Sequence, residues 1–160
     1  MFREMRRNRQ ALSAGDASAL LEAGTSGVLA VAGDDGYPYA VPLSYACDRE
    51  GERIWFHCAR SGHKLDAVRR CEKASFCVSV QDQIVPEEYT TYYQSVIAFG
   101  TIRLLSDEAE KMAAIEKLAL KYTPHGAAQK QAEEIKRFFP ALCMMELTIT
   151  HLTGKKAKEL

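Results

Sequence analysis

The chain has 160 residues, of which 47% are hydrophobic, enough for one domain with a sizeable core and too many for a disordered protein. Its 21 basic and 21 acidic side chains give a formal net charge of zero, which does not support nucleic-acid or membrane-surface partners. The sequence has no apolar stretch of bilayer-spanning length and no signal-peptide core, so we expect a cytoplasmic protein. Five irregularly spaced cysteines, with no CxxC pair, predict reduced and mostly buried thiols.

The first half of the chain predicts one short helix followed by three strands. Asp16 or Ser18 can cap the helix, and Gly24 ends it. Pro38 and Pro42 lie within the second strand, which indicates an edge strand or a bulge. We predict strands at residues 27–32, 37–47 and 53–58, with turns at residues 34–36 and 48–52.

The second half of the chain predicts three helices and three strands. Asp107 followed by Glu110 is a variant of the capping box, and it precedes apolar residues at helical spacing. Residues 81–93 break the strand pattern, because Pro86 stands there among threonines and tyrosines. We predict helices at residues 64–70, 107–122 and 127–138, and strands at residues 74–80, 95–105 and 141–152.

This order of elements favours an α+β fold over a βαβ alternation. Several hairpin-like strands follow one another early in the chain, and the few helices are spread over its start, its middle and its later part. We expect a small closed barrel of antiparallel strands with flanking helices. The whole chain, residues 1–160, is predicted to be one domain, with a basic arm at residues 1–10 and a charged tail at residues 155–160.

The tetrapeptide Ser61, Gly62, His63 and Lys64 is the strongest candidate site. It follows a predicted strand directly and opens a predicted helix, where backbone N–H groups and the helix dipole favour an anion. Ser61 could cap the helix and donate, Gly62 lets the backbone approach a ligand, and His63 and Lys64 add charge-assisted bonds. The alternative is an ordinary capped and exposed helix start, because the tetrapeptide matches neither the Walker pattern nor GxGxxG.

Two further segments could line a ligand. The apolar strand Val41, Pro42, Leu43, Ser44 and Tyr45 could form the wall of a site for a planar aromatic molecule, although the residues alone favour an edge strand that contains a proline. The Thr- and Tyr-rich residues 90–94 suit a subunit contact, a ligand rim or a solvated loop. We expect no metal site, because the histidines lack zinc-helix spacing and no cysteine pair completes a tetrahedral set.

Three segments in this order resemble the pyridoxamine 5′-phosphate oxidase-related flavin proteins, and most closely their nitroimidazole-resistance branch. The most specific are DGYPYAVPLSY, FHCARSGHKLD and TTYYQSVIAFG, and the resemblance extends from about residue 5 to residue 155. It implies a split β-barrel with Greek-key-like antiparallel strands. It also implies a homodimer that binds one FMN at each of two sites in the subunit interface.

The resemblance also implies roles for individual residues. Gln94 stands where relatives commonly have a glutamate, which removes the carboxylate that an ion pair there would need. The residues implied to face the flavin are Pro42, Leu43, Ser44, Tyr45, Phe56, His57 and Cys58. Those implied to take its phosphate are Ser61, His63 and Lys64. Those implied near the partner's flavin or the cofactor are Tyr92, Gln94, Ser95 and Lys155.

Two functions agree with these patterns. The first is an oxidoreductase in which FMN accepts electrons from NAD(P)H and reduces a small electron-poor acceptor such as a nitroaromatic. His57 is then the candidate proton donor, with His63 as the alternative if the phosphate does not occupy it, because imidazole titrates near neutral pH. The second is a non-catalytic flavin or small-molecule carrier or sensor, since function depends on the site and not on the fold.

Overall fold

A computed structural model describes residues 2–48, 52–126 and 128–160 of the chain. These residues form seven β-strands and four α-helices, with short 3₁₀ turns between several of them. The strands are β1 Ser26–Ala32, β2 Pro38–Ser44, β3 Ala46–Cys47, β4 Arg53–Ala59, β5 Lys73–Val85, β6 Thr90–Leu104 and β7 Leu142–Lys156. The helices are α1 Ala14–Ala23, α2 His63–Arg70, α3 Glu108–Tyr122 and α4 Ala128–Phe138.

The strands form one antiparallel sheet in the order β2-β1-β5-β6-β7-β4-β3. The two edge strands, β2 and β3, are separated in the chain by Tyr45 alone. A single residue can join opposite edges only if the sheet curls until they meet, so the sheet is a barrel. The short β3 pairs only with Ile54 and Trp55, so the barrel is open between β2 and the rest of β4. The predicted α+β split barrel is confirmed, as is the edge position of the strand that contains Pro42.

Aromatic rings fill the barrel. Phe76 lies between Tyr45 and Phe56 in edge-to-face contacts, with ring centroids 4.8 and 4.9 Å away. All three side chains are fully buried, and such contacts add to the free energy that burial of the rings already contributes. A second apolar cluster lies outside the barrel, where Leu118 of α3 packs with Trp55 of β4. The strand β4 therefore contributes to the barrel on one face and to the helical layer on the other.

The helix α1 begins one turn earlier than predicted. Its N-cap is Ser13, whose hydroxyl accepts a hydrogen bond from the Asp16 N–H at 3.1 Å and donates to the Asp16 carboxylate at 2.7 Å. The prediction that Asp16 or Ser18 caps this helix is therefore wrong. The predicted end is confirmed, since the Gly24 N–H donates to the Leu20 carbonyl.

The predicted break at residues 81–93 is also wrong. The strands β5 and β6 continue as a hairpin that pairs Gln83 with Tyr92 and Val85 with Thr90. This hairpin extends beyond the barrel, so neither face needs to be apolar and the alternation that marks a half-buried strand is lost. Tyr89 at its tip adopts a left-handed backbone, with φ of 51°, and is 98% exposed.

Both ends of the chain depart from the predicted solvated arm and tail. The strand β7 continues to Lys156, so Lys155 lies in the sheet opposite Ser95. At the other end, the Phe2 ring stacks on His151 with centroids 4.5 Å apart, so the arm rests on the sheet. Residues 49–51 of the predicted turn and residue 127 of the predicted fourth helix lie outside the described residues. Within the described chain, no helix combines the length and apolar character needed to cross a membrane.

Candidate functional site

The amino end of α2 is open to solvent. Its N-cap is Gly62, at φ 129° and ψ 166°, and no side chain accepts a hydrogen bond from the first turn. The prediction that Ser61 caps this helix is therefore wrong. The Gly62 carbonyl accepts from the N–H groups of Leu65 and Asp66 at 2.9 and 3.3 Å. An uncapped first turn leaves N–H groups available to an anion, and the helix dipole favours negative charge at that end.

Charges around this helix start leave one lysine without a partner. Arg70 holds the Asp34 carboxylate at 2.6 Å, and His63 lies 3.5 Å from its other oxygen while stacking on Tyr39. Among the residues that the structure describes, Lys64 makes no ion pair. The open helix end and this half-buried lysine together form a site with the chemistry to hold a phosphate.

The strand β2 divides its side chains between two surfaces. Val41 and Leu43 pack against the core, whereas Pro42 and Ser44 are exposed on the outer face of the barrel. Tyr45 is fully buried, and its hydroxyl donates to the Leu21 carbonyl at 2.5 Å. Burial raises the pKa of the Tyr45 hydroxyl well above its usual range. The expectation that Tyr45 faces a flavin is therefore wrong for its side chain.

The strand β4 divides the next three candidates in the same way. Phe56 is fully buried inside the barrel and Cys58 is 8% exposed, so neither ring nor thiol presents a surface to a ligand outside the barrel. His57 points outward and is exposed. Sequence reasoning placed these three side chains together, but strand alternation separates His57 from the other two.

His57 lines an apolar cavity of about 500 Å³ between β4 and the helical layer. Sequence reasoning missed this cavity. The available signal was the i, i+3 spacing of Ile135 and Phe138 on α4, which gives that helix one apolar stripe. Glu134 is the one acidic side chain at its wall. The lining residues are His57, Cys58, Ala59, Ile115, Glu134, Ile135, Phe138, Ala141 and Leu142.

The predicted interface residues lie at a different place on the barrel. Ser95 and Lys155 face each other across β6 and β7 and line a cavity of about 510 Å³ that the N-terminal arm helps to form. The Lys155 ammonium lies 5.1 Å from the centre of the Tyr93 ring. Tyr92 donates from its hydroxyl to the Glu88 carboxylate at 2.8 Å, and Gln94 is half-buried in the sheet. This cavity shares no lining residue with the one beside His57.

No three His, Cys, Asp or Glu side chains in the described part of the chain are grouped so that they could hold a metal ion.

Comparison with known families assigns the fold. The sequence model of the pyridoxamine 5′-phosphate oxidase family matches residues 13–156 of this chain. The chain belongs to this family. The match includes every strand of the barrel and all four helices. A search of curated protein sequences found no match.

Solved structures share the fold at low sequence identity. A candidate 5-nitroimidazole antibiotic resistance protein from Bacteroides thetaiotaomicron is 15% identical, with a TM-score of 0.76 over 91% of this chain and 86% of that one. A FAD-binding protein from Mesorhizobium loti is 24% identical, with a TM-score of 0.68 over 92% and 96% of the two chains. A flavocytochrome from Azotobacter vinelandii is 19% identical, with a TM-score of 0.75 over 96% and 72%. At these identities the likeness concerns the fold alone.

Proposed function

We propose that this protein binds FMN and acts as a flavin-dependent oxidoreductase that passes electrons from NAD(P)H to a small electron-poor acceptor. The observation that carries the proposal is the open start of α2, where Gly62 leaves the first turn uncapped and Lys64 has no carboxylate partner in the described chain. Family membership and the flavin-binding character of the proteins from Mesorhizobium loti and Azotobacter vinelandii support the same cofactor class.

In this proposal the phosphate lies at the start of α2. Lys64 supplies a positive charge, the first-turn N–H groups donate, and Ser61 adds an exposed hydroxyl beside them. Gly62 allows close approach, because nothing lies within 4 Å of the position that a Cβ would take there. His63 is held by Asp34 and Tyr39, so its contribution depends on leaving that contact.

The rest of the cofactor would cross the gap between β2 and β4. Pro42 and Ser44 are exposed on the outer side of one strand, and His57 is exposed on the other. Bound FMN would supply hydride acceptance from the nicotinamide and electron delivery to the acceptor. The protein's contribution is to orient the ring and to exclude water from it.

The apolar cavity beside His57 is our candidate site for the acceptor. Its volume suits a small molecule, and its walls are apolar except for the side chains of His57 and Glu134. We propose His57 as the group that donates a proton to the reduced acceptor. The structural likeness to a candidate nitroimidazole resistance protein supports a nitroaromatic acceptor.

We further propose that the protein is a homodimer with the flavin sites at its interface. The outer faces of β1, β5 and β6 carry Val28, Cys77 and Ile97 side by side across the sheet. Val28 is 40% exposed and Ile97 is 37% exposed, which leaves apolar area for a partner. A stable interface of this kind buries more than about 1,000 Å². Sedimentation should show a dimer, and a monomer that still binds FMN would contradict this part of the proposal.

The proposal is tested by adding flavins to the purified protein. We expect one FMN per chain by absorbance titration, with weaker binding of riboflavin and FAD, since riboflavin lacks the phosphate that Lys64 would hold. NADH or NADPH should then bleach the flavin under anaerobic conditions, and a nitroaromatic should restore its colour. A protein that shows neither flavin absorbance nor a thermal shift with FMN would contradict the cofactor. Binding without bleaching would favour the carrier or sensor.

A further inference from the structure

Two cysteines face each other across the strands β4 and β7. Cys58 and Cys143 are direct partners in this antiparallel ladder, and both side chains pack with the barrel core. Directly opposed residues in such a ladder have Cα atoms about 4.5–5.5 Å apart. That separation falls in the range of about 4.4–6.8 Å at which a disulfide forms without movement of the backbone.

No other cysteine in the described strands has this arrangement. Cys47 lies opposite Ile54, and Cys77 lies between Val28 and Ile97. Cys71 follows the last residue of α2. All five thiols are free in the structure. The pairing of Cys58 with Cys143 is therefore a specific placement and not the consequence of a cysteine-rich surface.

The two thiols of the pair differ in their access to solvent. Cys58 is 8% exposed, and burial, together with the neighbouring Cys143 thiol, raises its pKa to about 12. The Lys64 ammonium opposes that rise. Cys143 is only half-buried, so it is the thiol that an external reagent reaches first. Cys58 is then the resolving thiol, protected from direct attack and already beside its partner.

We propose that Cys58 and Cys143 form a modification site that closes into an intrachain disulfide by exchange with a low-molecular-weight disulfide such as oxidised glutathione. The Cys143 thiolate attacks one sulfur of that reagent, forms a mixed disulfide and releases the first small thiol. Cys58 then loses its proton to solvent, attacks the Cys143 sulfur and releases the second small thiol. Two protein thiols are oxidised, and the one external disulfide is reduced to two thiols, so the electrons balance.

The bond would fix the strand end that leads into the candidate phosphate site. Cys58 stands beside His57, and α2 begins five residues after it. Closing the bond ties the end of β4 to β7 across a long loop that contains α2, β5, β6 and the helical layer. Such a bond restricts the unfolded chain and raises the stability of the oxidised protein.

The test is incubation of the native protein with oxidised glutathione, followed by alkylation and peptide mapping. We expect a cross-linked pair of peptides that contains Cys58 and Cys143, reversal by dithiothreitol, and a rise in melting temperature of roughly 10 °C. In the Cys58→Ser variant a glutathione adduct should accumulate on Cys143 without the rise in melting temperature. The Cys143→Ser variant should form neither product at Cys58, and Cys71→Ser should behave as the wild type.

Three results would overturn the proposal. The first is a stable glutathione adduct on Cys143 in the wild-type protein, which would mean that Cys58 cannot reach it. The second is a cross-link that involves another cysteine in place of this pair. The third is the absence of any product at Cys143 under conditions in which oxidised glutathione fully modifies the five cysteines of the urea-unfolded protein.

Discussion

The first turns of α2 and α3 differ in how their backbone N–H groups are used. In α3 the Asp107 carboxylate accepts from the Glu110 N–H at 2.9 Å, so the helix start is closed by its own sequence. In α2 the N-cap is Gly62, which has no side chain, and the first turn has no cap. A side-chain cap stabilises a helix by about 1 kcal/mol relative to alanine and by only a few tenths of a kcal/mol relative to glycine, so the Gly62 cap costs α2 little stability. We infer that α3 is built for stability and that α2 retains free donors for a ligand.

The largest expected effect is on FMN affinity, at the uncapped first turn of α2. Lys64→Ala should weaken FMN binding by about 1.5–3 kcal/mol, the size of a charge-assisted hydrogen bond, or about ten- to a hundredfold in affinity. The affinity for riboflavin should hardly change, because riboflavin has no phosphate for Lys64 to bind. Fluorescence titration with both ligands measures the difference.

Lys130→Ala is the matched control for Lys64→Ala. Lys130 is an exposed lysine in the first turn of α4, so its loss should leave the affinities for both flavins unchanged. Equal losses for FMN and riboflavin in Lys64→Ala would show a general disturbance of the site. No loss for either ligand would mean that Lys64 is only a surface residue.

The next largest effect is on stability, and it concerns the backbone at Gly62, the N-cap of α2. Gly62→Ala should lower the free energy of unfolding by about 1–3 kcal/mol, because a residue with a Cβ is strained at φ 129°. No neighbouring atom lies within 4 Å of the added Cβ, so strain of the backbone and not a clash is the cause. Urea denaturation measures the change. An unchanged midpoint would show that the helix start adopts another conformation in solution.

Changes at the capped first turn of α3 should alter the stability of the protein and not its affinity for FMN. Asp107→Ala should cost about 1 kcal/mol of unfolding free energy, since the Glu110 N–H loses its acceptor. Asp107→Asn, which retains a capping oxygen, should recover most of that loss. FMN affinity should be the same in both variants. A loss of FMN binding in Asp107→Ala would mean that the two helix ends are not independent.

The smallest expected effect is on stability, and it comes from a second glycine near a helix start, Gly15. Gly15 is the second residue of α1 and, unlike Gly62, does not have positive φ. Gly15→Ala should therefore stabilise the protein by up to about 1 kcal/mol, through the lower entropy of the unfolded chain and better helix propensity. Thermal unfolding measures the shift, and a destabilised variant would contradict this interpretation of the two sites.

The sequence by itself determined the elements whose signals are local. Asp107 and Glu110 marked the start of α3, Gly24 marked the end of α1, and short apolar runs located β1 and β4 to within a residue. These features depend on contacts within a few residues along the chain, so their patterns can be recognised without the fold. The tetrapeptide at residues 61–64 belongs to this group, since a strand followed by a glycine and a helix is a local arrangement.

Tertiary structure decided which way the side chains face and which of them meet. Tyr45 is buried because it joins the two edges of the curled sheet, and the order of the strands is what creates that corner. His57 faces the helical layer and Cys58 faces Cys143 because β4 pairs with β7, a strand more than half the chain away. The mostly polar residues 81–85 and 90–93 are strands because they pair with each other across the β5–β6 hairpin, although they lack the apolar alternation of a half-buried strand. Contacts between residues distant in sequence leave no periodic signal in either segment alone, which is why the cavity and the dithiol were visible only in the fold.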